Sequence, residues 1–243
     1  MPIAPDSWLT VSSRIKNMNS HLKLSSALKH TRRTFFCALI LGMALLMAAP
    51  SAQADPAADA KASLKGAIDQ VLNLIKDPAF SNSATRESQI EAIDSKIREI
   101  FDFSEFSSRT VGRNWKTFTP EQQNQFIDAF AQLLRATYID KVEGYNGEEV
   151  KYLGETVGTK GDKVEVDTSV SVKTQEAPIK VSYRMLNKSR WVVYDVVIEG
   201  VSLVQNYRTQ FNELLQKGNA EDLIAKVNAR AQELREQNKT GSN

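Results

Sequence analysis

The chain has 243 residues, of which 31 are lysine or arginine, 29 are aspartate or glutamate, two are histidine and one is cysteine. His21, His30 and Cys37 all precede residue 55, so residues 55–243 contain no imidazole and no thiol. This composition excludes Ser-His-Asp and Cys-His catalysis, histidine- or cysteine-ligated zinc and disulfide bonds in that part of the chain. The sequence also contains no dinucleotide-binding glycine fingerprint and no P-loop.

The segment 1–54 has the pattern of a secretory signal peptide preceded by an N-terminal extension. Two adjacent arginines precede an apolar stretch from Phe35 to Ala49, and an Ala-x-Ala cleavage site ends at Ala54. The apolar stretch has about 15 residues, whereas a membrane-spanning helix needs roughly 20, so an uncleaved anchor is the weaker alternative. We expect removal of this segment, by either the general or the twin-arginine export route, and a single domain over 55–243.

Charge places further limits on function. Six basic residues and one acidic residue precede residue 55, which leaves 25 basic and 28 acidic residues in the exported chain. A net charge of −3 gives no strongly basic surface for nucleic acid. Carboxylate chemistry stays open, because Asp195 and Glu199 are four residues apart on a predicted strand and would share one face. A carboxylate-based hydrolase is therefore retained as an alternative, although most such acids are structural.

The first half of the exported chain is predicted to be helical. Apolar residues at helical spacing predict helices over 56–77 and 87–101, followed by a short aromatic helix over 101–115. Thr119 and Gln122 form a capping box for a longer helix that has proline at its first position. The broad apolar face of this helix consists of Phe126, Phe130, Leu133, Leu134 and Tyr138.

The middle of the chain changes to the alternation of β-strands. Four strands are predicted, over residues 149–158, 162–173, 178–186 and 190–200. Their short links favour an antiparallel meander, because parallel strands need long crossovers. The apolar faces are predicted to consist of Val164, Val166, Val170 and Val172; of Ile179, Val181, Tyr183 and Met185; and of Val192, Tyr194, Val196 and Ile198.

Two helices complete the predicted α+β domain. Ser202 and Gln205 form a second capping box, and Asn219 caps the last helix. Leu203, Val204, Tyr207 and Phe211 follow the last strand at helical spacing, and we expect Asp195 to pair with Arg208. The apolar face of the sheet must be covered by helices. Periodicity alone leaves open whether the two form a solid core or enclose a hollow for a ligand.

Four segments carry a resemblance to a known family. They are FDFSEFSSRTVGRNW (101–115), TPEQQNQFIDAFAQLL (119–134), TYIDKVEGYNG (137–147) and, the most specific, RWVVYDVVIEGVSLVQNYRTQF (190–211). On these segments the chain resembles the MlaC family, also called toluene-tolerance auxiliary proteins, which are periplasmic phospholipid carriers. The resemblance implies a nuclear-transport-factor-like fold, in which a curved, four-stranded antiparallel sheet and several helices enclose an apolar pocket.

The resemblance also implies a function and partners. The protein is expected to be a monomeric, non-enzymatic carrier without a cofactor, with phospholipid as its cargo. It would shuttle lipid between an outer-membrane lipoprotein-porin complex and an inner-membrane ABC transporter that bears a substrate-binding hexamer, and so maintain outer-membrane lipid asymmetry. The alternative is a lipid-free periplasmic module with a solid core that binds partner proteins.

The candidate lipid-binding residues come from the sheet and from the helices that cover it. From the sheet, we expect the acyl tails to contact Val166, Val170, Val181, Tyr183, Tyr194, Val196 and Ile198. From the helices, we expect contacts with Phe106, Val111, Phe130, Leu133, Leu134, Val204, Tyr207 and Phe211. With the headgroup left in solvent at the mouth, recognition would depend on the tails and headgroup selectivity would be weak.

Overall fold

The structure is a computed structural model that describes residues 55–82, 84–143, 147, 149–171 and 177–241. The predicted signal segment and Val172 lie outside the described residues. The helices are α1 (Pro56–Lys76), α2 (Pro78–Ser81), α3 (Arg86–Ile100), α4 (Phe103–Val111), α5 (Pro120–Glu143), α6 (Leu203–Leu215) and α7 (Ala220–Gly241), with a 3-10 helix at Gly112–Thr117. The strands are β1 (Glu149–Val157), β2 (Lys163–Ser171), β3 (Ile179–Asn187), β4 (Trp191–Ile198) and β5 (Val201–Ser202).

Side-chain caps fix where the long helices begin. The predicted box at α5 is formed in both directions, because Gln122 N–H donates to Thr119 Oγ1 at 3.2 Å and Thr119 N–H donates to Gln122 Oε1 at 2.8 Å. The cap at Ser202 is one-sided: its Oγ accepts from Gln205 N–H at 3.1 Å, and no return bond from the Gln205 side chain is formed among the described residues. Asn219 caps α7, since its Oδ1 accepts from the N–H three residues on.

The strands form one antiparallel sheet in the order β1-β2-β3-β4-β5, which confirms the predicted meander and adds the two-residue β5 at one edge. One face of the sheet carries the apolar side chains, which lie in rows across neighbouring strands; we call it the apolar face. From one end of the sheet to the other, the rows are Val164–Met185–Val193, Val166–Tyr183–Val196, Thr168–Val181–Ile198 and Val170–Ile179.

A β-bulge interrupts β4. Asp195 pairs with Arg184 and Val193 pairs with Met185, so Tyr194 is an extra residue with no partner of its own on β3. A bulge of this kind changes which residues of a strand point to a given face. Before Tyr194 the odd-numbered Val193 points to the apolar face, whereas after it the even-numbered Val196 and Ile198 do.

The bulge corrects the predicted apolar face of β4. Val196 and Ile198 lie on it as predicted, but Val192 and Tyr194 do not belong to it. Val193, which the alternation had placed on the opposite face, is fully buried in the apolar cluster instead. The prediction was wrong in the first half of the strand because strict alternation assumes an unbroken ladder.

The apolar face and the helices share one cluster of buried side chains. Ala60 and Leu64 bring α1 into this cluster, and Leu223 and Val227 bring in α7. A smaller cluster around Phe80, with residues of α3, lies beside α1. No helix among the described residues is both long and apolar enough to cross a membrane. The main cluster is thus the interior in which a ligand-binding site has to be sought.

Candidate functional site

The apolar face of the sheet is more open at one end than at the other. Val164, Met185 and Val193 at the first end are 0–2% exposed. At the opposite end Val170 and Ile179 are only half-buried, although they still pack against the apolar cluster. Val150, paired with Val170 on the edge strand, is also half-buried, and we call these three residues the open end. The apolar face is therefore more accessible to solvent at the open end than at the end formed by Val164, Met185 and Val193.

Five aromatic rings from α4, α5 and α6 form the helical side of the interior, and we call them the aromatic cluster: Phe106, Phe126, Phe130, Tyr207 and Phe211. Phe130 is at its centre, with ring centroids 4.9 Å from Tyr207, 5.3 Å from Phe211, 5.5 Å from Phe106 and 5.7 Å from Phe126. Edge-to-face and offset-stacked pairs at such distances stabilise the arrangement beyond simple burial. The five rings therefore form one contiguous aromatic group to which three helices contribute.

The structure brings 14 of the 15 predicted lipid-binding residues into this one apolar cluster. Ten are buried: Phe106, Val111, Phe130, Leu133, Val166, Val181, Val196, Val204, Tyr207 and Phe211. Four are half-buried and pack against the others: Leu134, Val170, Tyr183 and Ile198. This places the residues together, while their contact with lipid remains a prediction.

Tyr194 is the predicted residue that lies elsewhere. Its ring faces the guanidinium of Arg109, which is 4.3 Å from the ring centroid, a cation–π contact. Burial raises the pKa of the Tyr194 hydroxyl, although the nearby positive charges of Arg109 and Arg184 oppose that shift. Its position in the bulge explains why alternation misplaced it.

Tyr183 lies on the apolar face, in the row of Val166 and Val196. Burial raises the pKa of its hydroxyl to about 12, as expected for a group surrounded by protein. The side chain nevertheless keeps accessible surface. With its pKa raised, the hydroxyl stays protonated at neutral pH within an otherwise apolar row of the sheet.

The edge strand β1 adds polar groups that the sequence reasoning did not single out. Tyr152 and Glu155 lie on the apolar face, because Tyr152 pairs with Thr168 and Glu155 pairs with Val166. Lys61 of α1 forms an ion pair with Glu155 at 2.8 Å. The alternation of Val150 and Tyr152 could have revealed the tyrosine. The glutamate depends on a register shift just after Tyr152, for which Gly154 inside the strand was the available signal.

Asp195 is a structural acid, and its predicted pairing with Arg208 is wrong. Its carboxylate accepts from Arg184 Nη1 at 3.0 Å, Ser202 Oγ at 2.7 Å and Val204 N–H at 3.0 Å. Arg208 Nε instead donates to the backbone carbonyl of Arg109 at 2.7 Å. Asp195 thus joins the first turn of α6 to the sheet.

Glu199 does not share a face with Asp195 as predicted. It follows β4 in a turn with a φ of 49°, and its carboxylate accepts from Lys180 N–H. Glu199 is exposed, whereas Asp195 is 3% exposed. The two acids therefore do not form a catalytic pair.

Described residues line two surface clefts that lie outside the apolar face. One, of about 420 Å³, is lined by residues that include Arg98, Asp102, Phe103 and Lys188. The other, of about 240 Å³, lies between the start of α5 and the link from α6 to α7. Among the residues that the structure describes, no group of three acids, histidines or cysteines is placed to hold a metal ion. A hollow between sheet and helices remains a prediction.

Comparison with known proteins agrees with this architecture. The family model described as MlaC protein matches residues 65–229. The intermembrane phospholipid transport system binding protein MlaC of Haemophilus influenzae is 24% identical over 162 residues, which cover 62% of this chain and 76% of that protein. A solved structure of a phospholipid-binding protein from Ralstonia solanacearum, in complex with a phospholipid, is 31% identical with a TM-score of 0.65 and covers 73% of this chain and 99% of that one. The chain belongs to the MlaC family.

Proposed function

We propose that this protein is a periplasmic carrier that binds phospholipid between the apolar face of the sheet and the aromatic cluster. In this proposal residues 1–54 direct export and are removed, and residues 55–243 form one lipid-binding domain. The observation that carries the proposal is the continuous apolar interior to which sheet and helices both contribute. The phospholipid in the similar Ralstonia solanacearum structure supports the choice of ligand.

The physical need for such a carrier is large. Transfer of one CH₂ group from apolar surroundings to water costs about 0.8 kcal/mol. Two tails of about 15 carbons would therefore cost roughly 20 kcal/mol or more, so a free phospholipid does not cross an aqueous gap at a useful rate. A carrier needs only to offer comparable apolar cover. No catalytic residue is required, which agrees with a binding rather than an enzymatic role.

We place the mouth of the binding site at the open end. The tails would extend toward Val164 and Met185, where burial is complete, and the headgroup would stay near solvent beyond Val170. Contacts with the tails would then provide most of the affinity. This arrangement predicts weak selectivity among headgroups.

The proposed cycle has two membrane partners. Lipid would be exchanged with an outer-membrane lipoprotein-porin complex and with an inner-membrane ABC transporter that bears a substrate-binding hexamer. The name of the Haemophilus influenzae relative, an intermembrane transport binding protein, supports this part of the proposal. By such exchange the protein would maintain the lipid asymmetry of the outer membrane.

Native mass spectrometry of the protein purified from its own periplasm tests the proposal. We expect the mass of the chain from Asp55 to Asn243 plus a phospholipid, and release of that lipid on denaturation. Protein that carries no lipid would instead support the lipid-free interaction module.

A pair of neighbouring substitutions localises the lipid. Val170→Glu places a charge on the apolar face at the open end and should lower the bound lipid strongly. Ser171→Glu places the same charge on the opposite face of the same strand and should leave the lipid content near that of the wild type. Equal lipid content in the two variants would exclude Val170 from the site.

A further inference from the structure

Tyr152 is an unusual polar group in the apolar interior. It lies on the apolar face of β1, and its hydroxyl is buried without a hydrogen-bond partner among the described residues. Its cross-strand neighbour Thr168 uses its own hydroxyl to donate to Val181 O at 2.8 Å. A buried donor that lacks a partner destabilises a protein by about 1–3 kcal/mol. The position therefore suits a ligand that brings a hydrogen-bond acceptor.

The charges around Tyr152 are already paired. Lys61 Nζ is 5.9 Å from the centroid of the tyrosine ring and forms its ion pair with Glu155. Lys65 pairs with Asp69 at 2.5 Å. Burial, together with the negative charge of Asp69, raises the pKa of Tyr152 to about 12, so the hydroxyl stays protonated and able to donate. With both lysines engaged and a carboxylate nearby, a neutral acceptor suits this position better than an anionic phosphate.

We propose that the Tyr152 hydroxyl donates a hydrogen bond to an ester carbonyl oxygen of the bound lipid. The inference rests on the proposed function and goes further, because it names the side chain that contacts the ester region of the lipid. Tyr152 stands in the row of Thr168, one row inward from the open end. The ester region of a lipid lies between headgroup and tails. A carbonyl at this row would leave the tails on the side of Val164 and the headgroup on the side of Val170.

The test compares two lipids that differ only in the carbonyl groups. The exported chain, stripped of lipid, is offered vesicles of dioleoyl phosphatidylcholine or of its dialkyl ether counterpart, and the bound lipid is measured. We expect wild-type protein to prefer the ester about two- to twelvefold, the usual contribution of one hydrogen bond. Tyr152→Phe should bind both lipids equally. Tyr194→Phe makes the same chemical change outside the apolar cluster and should keep the preference.

A second measurement does not depend on any variant. Infrared spectra of wild-type protein loaded with lipid that carries ¹³C-labelled ester carbonyls should show one carbonyl band shifted to lower frequency by the hydrogen bond. Three results would each overturn the inference: Tyr152→Phe keeps the ester preference, the wild type shows no preference, or the carbonyl band is not shifted. Wild-type protein that binds neither lipid would instead overturn the proposed function itself.

Discussion

Replacement of Asp195 by asparagine tests whether this acid holds the fold or performs chemistry. The carboxylate is 3% exposed and accepts three hydrogen bonds, from Arg184, Ser202 and the N–H of Val204. The amide has nearly the same volume but keeps one acceptor oxygen. Its NH₂ group must face either Arg184 and Ser202, which share one carboxylate oxygen, or the N–H of Val204, which uses the other. A hydrogen bond to a charged group contributes about 1.5–3 kcal/mol. Arg184 keeps its ion pair with Glu165 at 2.7 Å in the variant, so it is not left without a charged partner. We therefore expect the free energy of unfolding to fall by about 2–4 kcal/mol.

Urea unfolding followed by tryptophan fluorescence measures this loss. With a slope of about 2 kcal/mol per molar urea, the midpoint of Asp195→Asn should fall by about 1–2 M. Glu165→Gln is the matched control: it removes the other partner of Arg184 in a pair that is about one-third exposed, and it should change stability by no more than about 1 kcal/mol. A midpoint for Asp195→Asn equal to that of the wild type would refute the structural role. Loss of an esterase activity in that stable variant would revive the hydrolase alternative.

Three further predictions concern the aromatic cluster, the bond between Lys188 and Asp102 at the start of α4, and the ligand. Phe130→Ala, at the centre of the aromatic cluster, should lower the free energy of unfolding by about 3–5 kcal/mol in the same assay. Lys188→Met should destabilise by about 1 kcal/mol or less at pH 7. Although burial opposes it, the bond from Lys188 lowers the pKa of Asp102 below its ordinary 3.8. Because the pKa of Asp102 is lower in the folded than in the unfolded state, its ionised form stabilises the fold at pH values above about 3.8. This stabilisation is lost as the carboxylate becomes protonated. The difference in stability between variant and wild type should therefore disappear as the pH falls below about 3.8. Removal of bound lipid should lower the urea midpoint, and addition of phosphatidylethanolamine vesicles should restore it; an unchanged midpoint would argue against a filled interior.

Local signals made the helices and strands predictable. The box of Thr119 and Gln122 and the cap at Asn219 depend on residues three positions apart, and the structure contains both. The alternation in β2 and β3 correctly placed Val166 and Val181 on the apolar face, because these strands pair without interruption. Where neighbours in sequence are also neighbours in space, pattern alone determines the outcome.

The errors arose where a single residue was added to a strand. The bulge at Tyr194 leaves that tyrosine outside the apolar cluster and brings Val193 in. The shift after Tyr152 places Glu155 on the apolar face and leaves Leu153 59% exposed. A bulge depends on how two strands fit together, which the sequence of one strand does not contain.

Polar partnerships over long distances were equally hidden. Asp195 was expected to pair with Arg208, but the neighbouring strand already places Arg184 on the same face of the sheet. Cross-strand register decides such a contact, and register was not known before the strands were aligned. The family resemblance could supply the function without supplying these contacts.

The hydrogen bonds that hold the start of α6 on the sheet lie on the face opposite the apolar interior, and this placement matters for a carrier. Asp195 alternates with Val196 along β4, so the carboxylate that fixes α6 points away from the apolar face. Val204 and Tyr207 of that helix can then face the interior without any polar restraint among the tails. An unpartnered polar group beside an acyl chain would weaken binding of every lipid. Polar side chains do lie on the apolar face: Thr168 bonds to Val181 O and Glu155 pairs with Lys61. The Tyr152 hydroxyl has no hydrogen-bond partner among the described residues, and its position one row from the open end is where a lipid itself becomes polar.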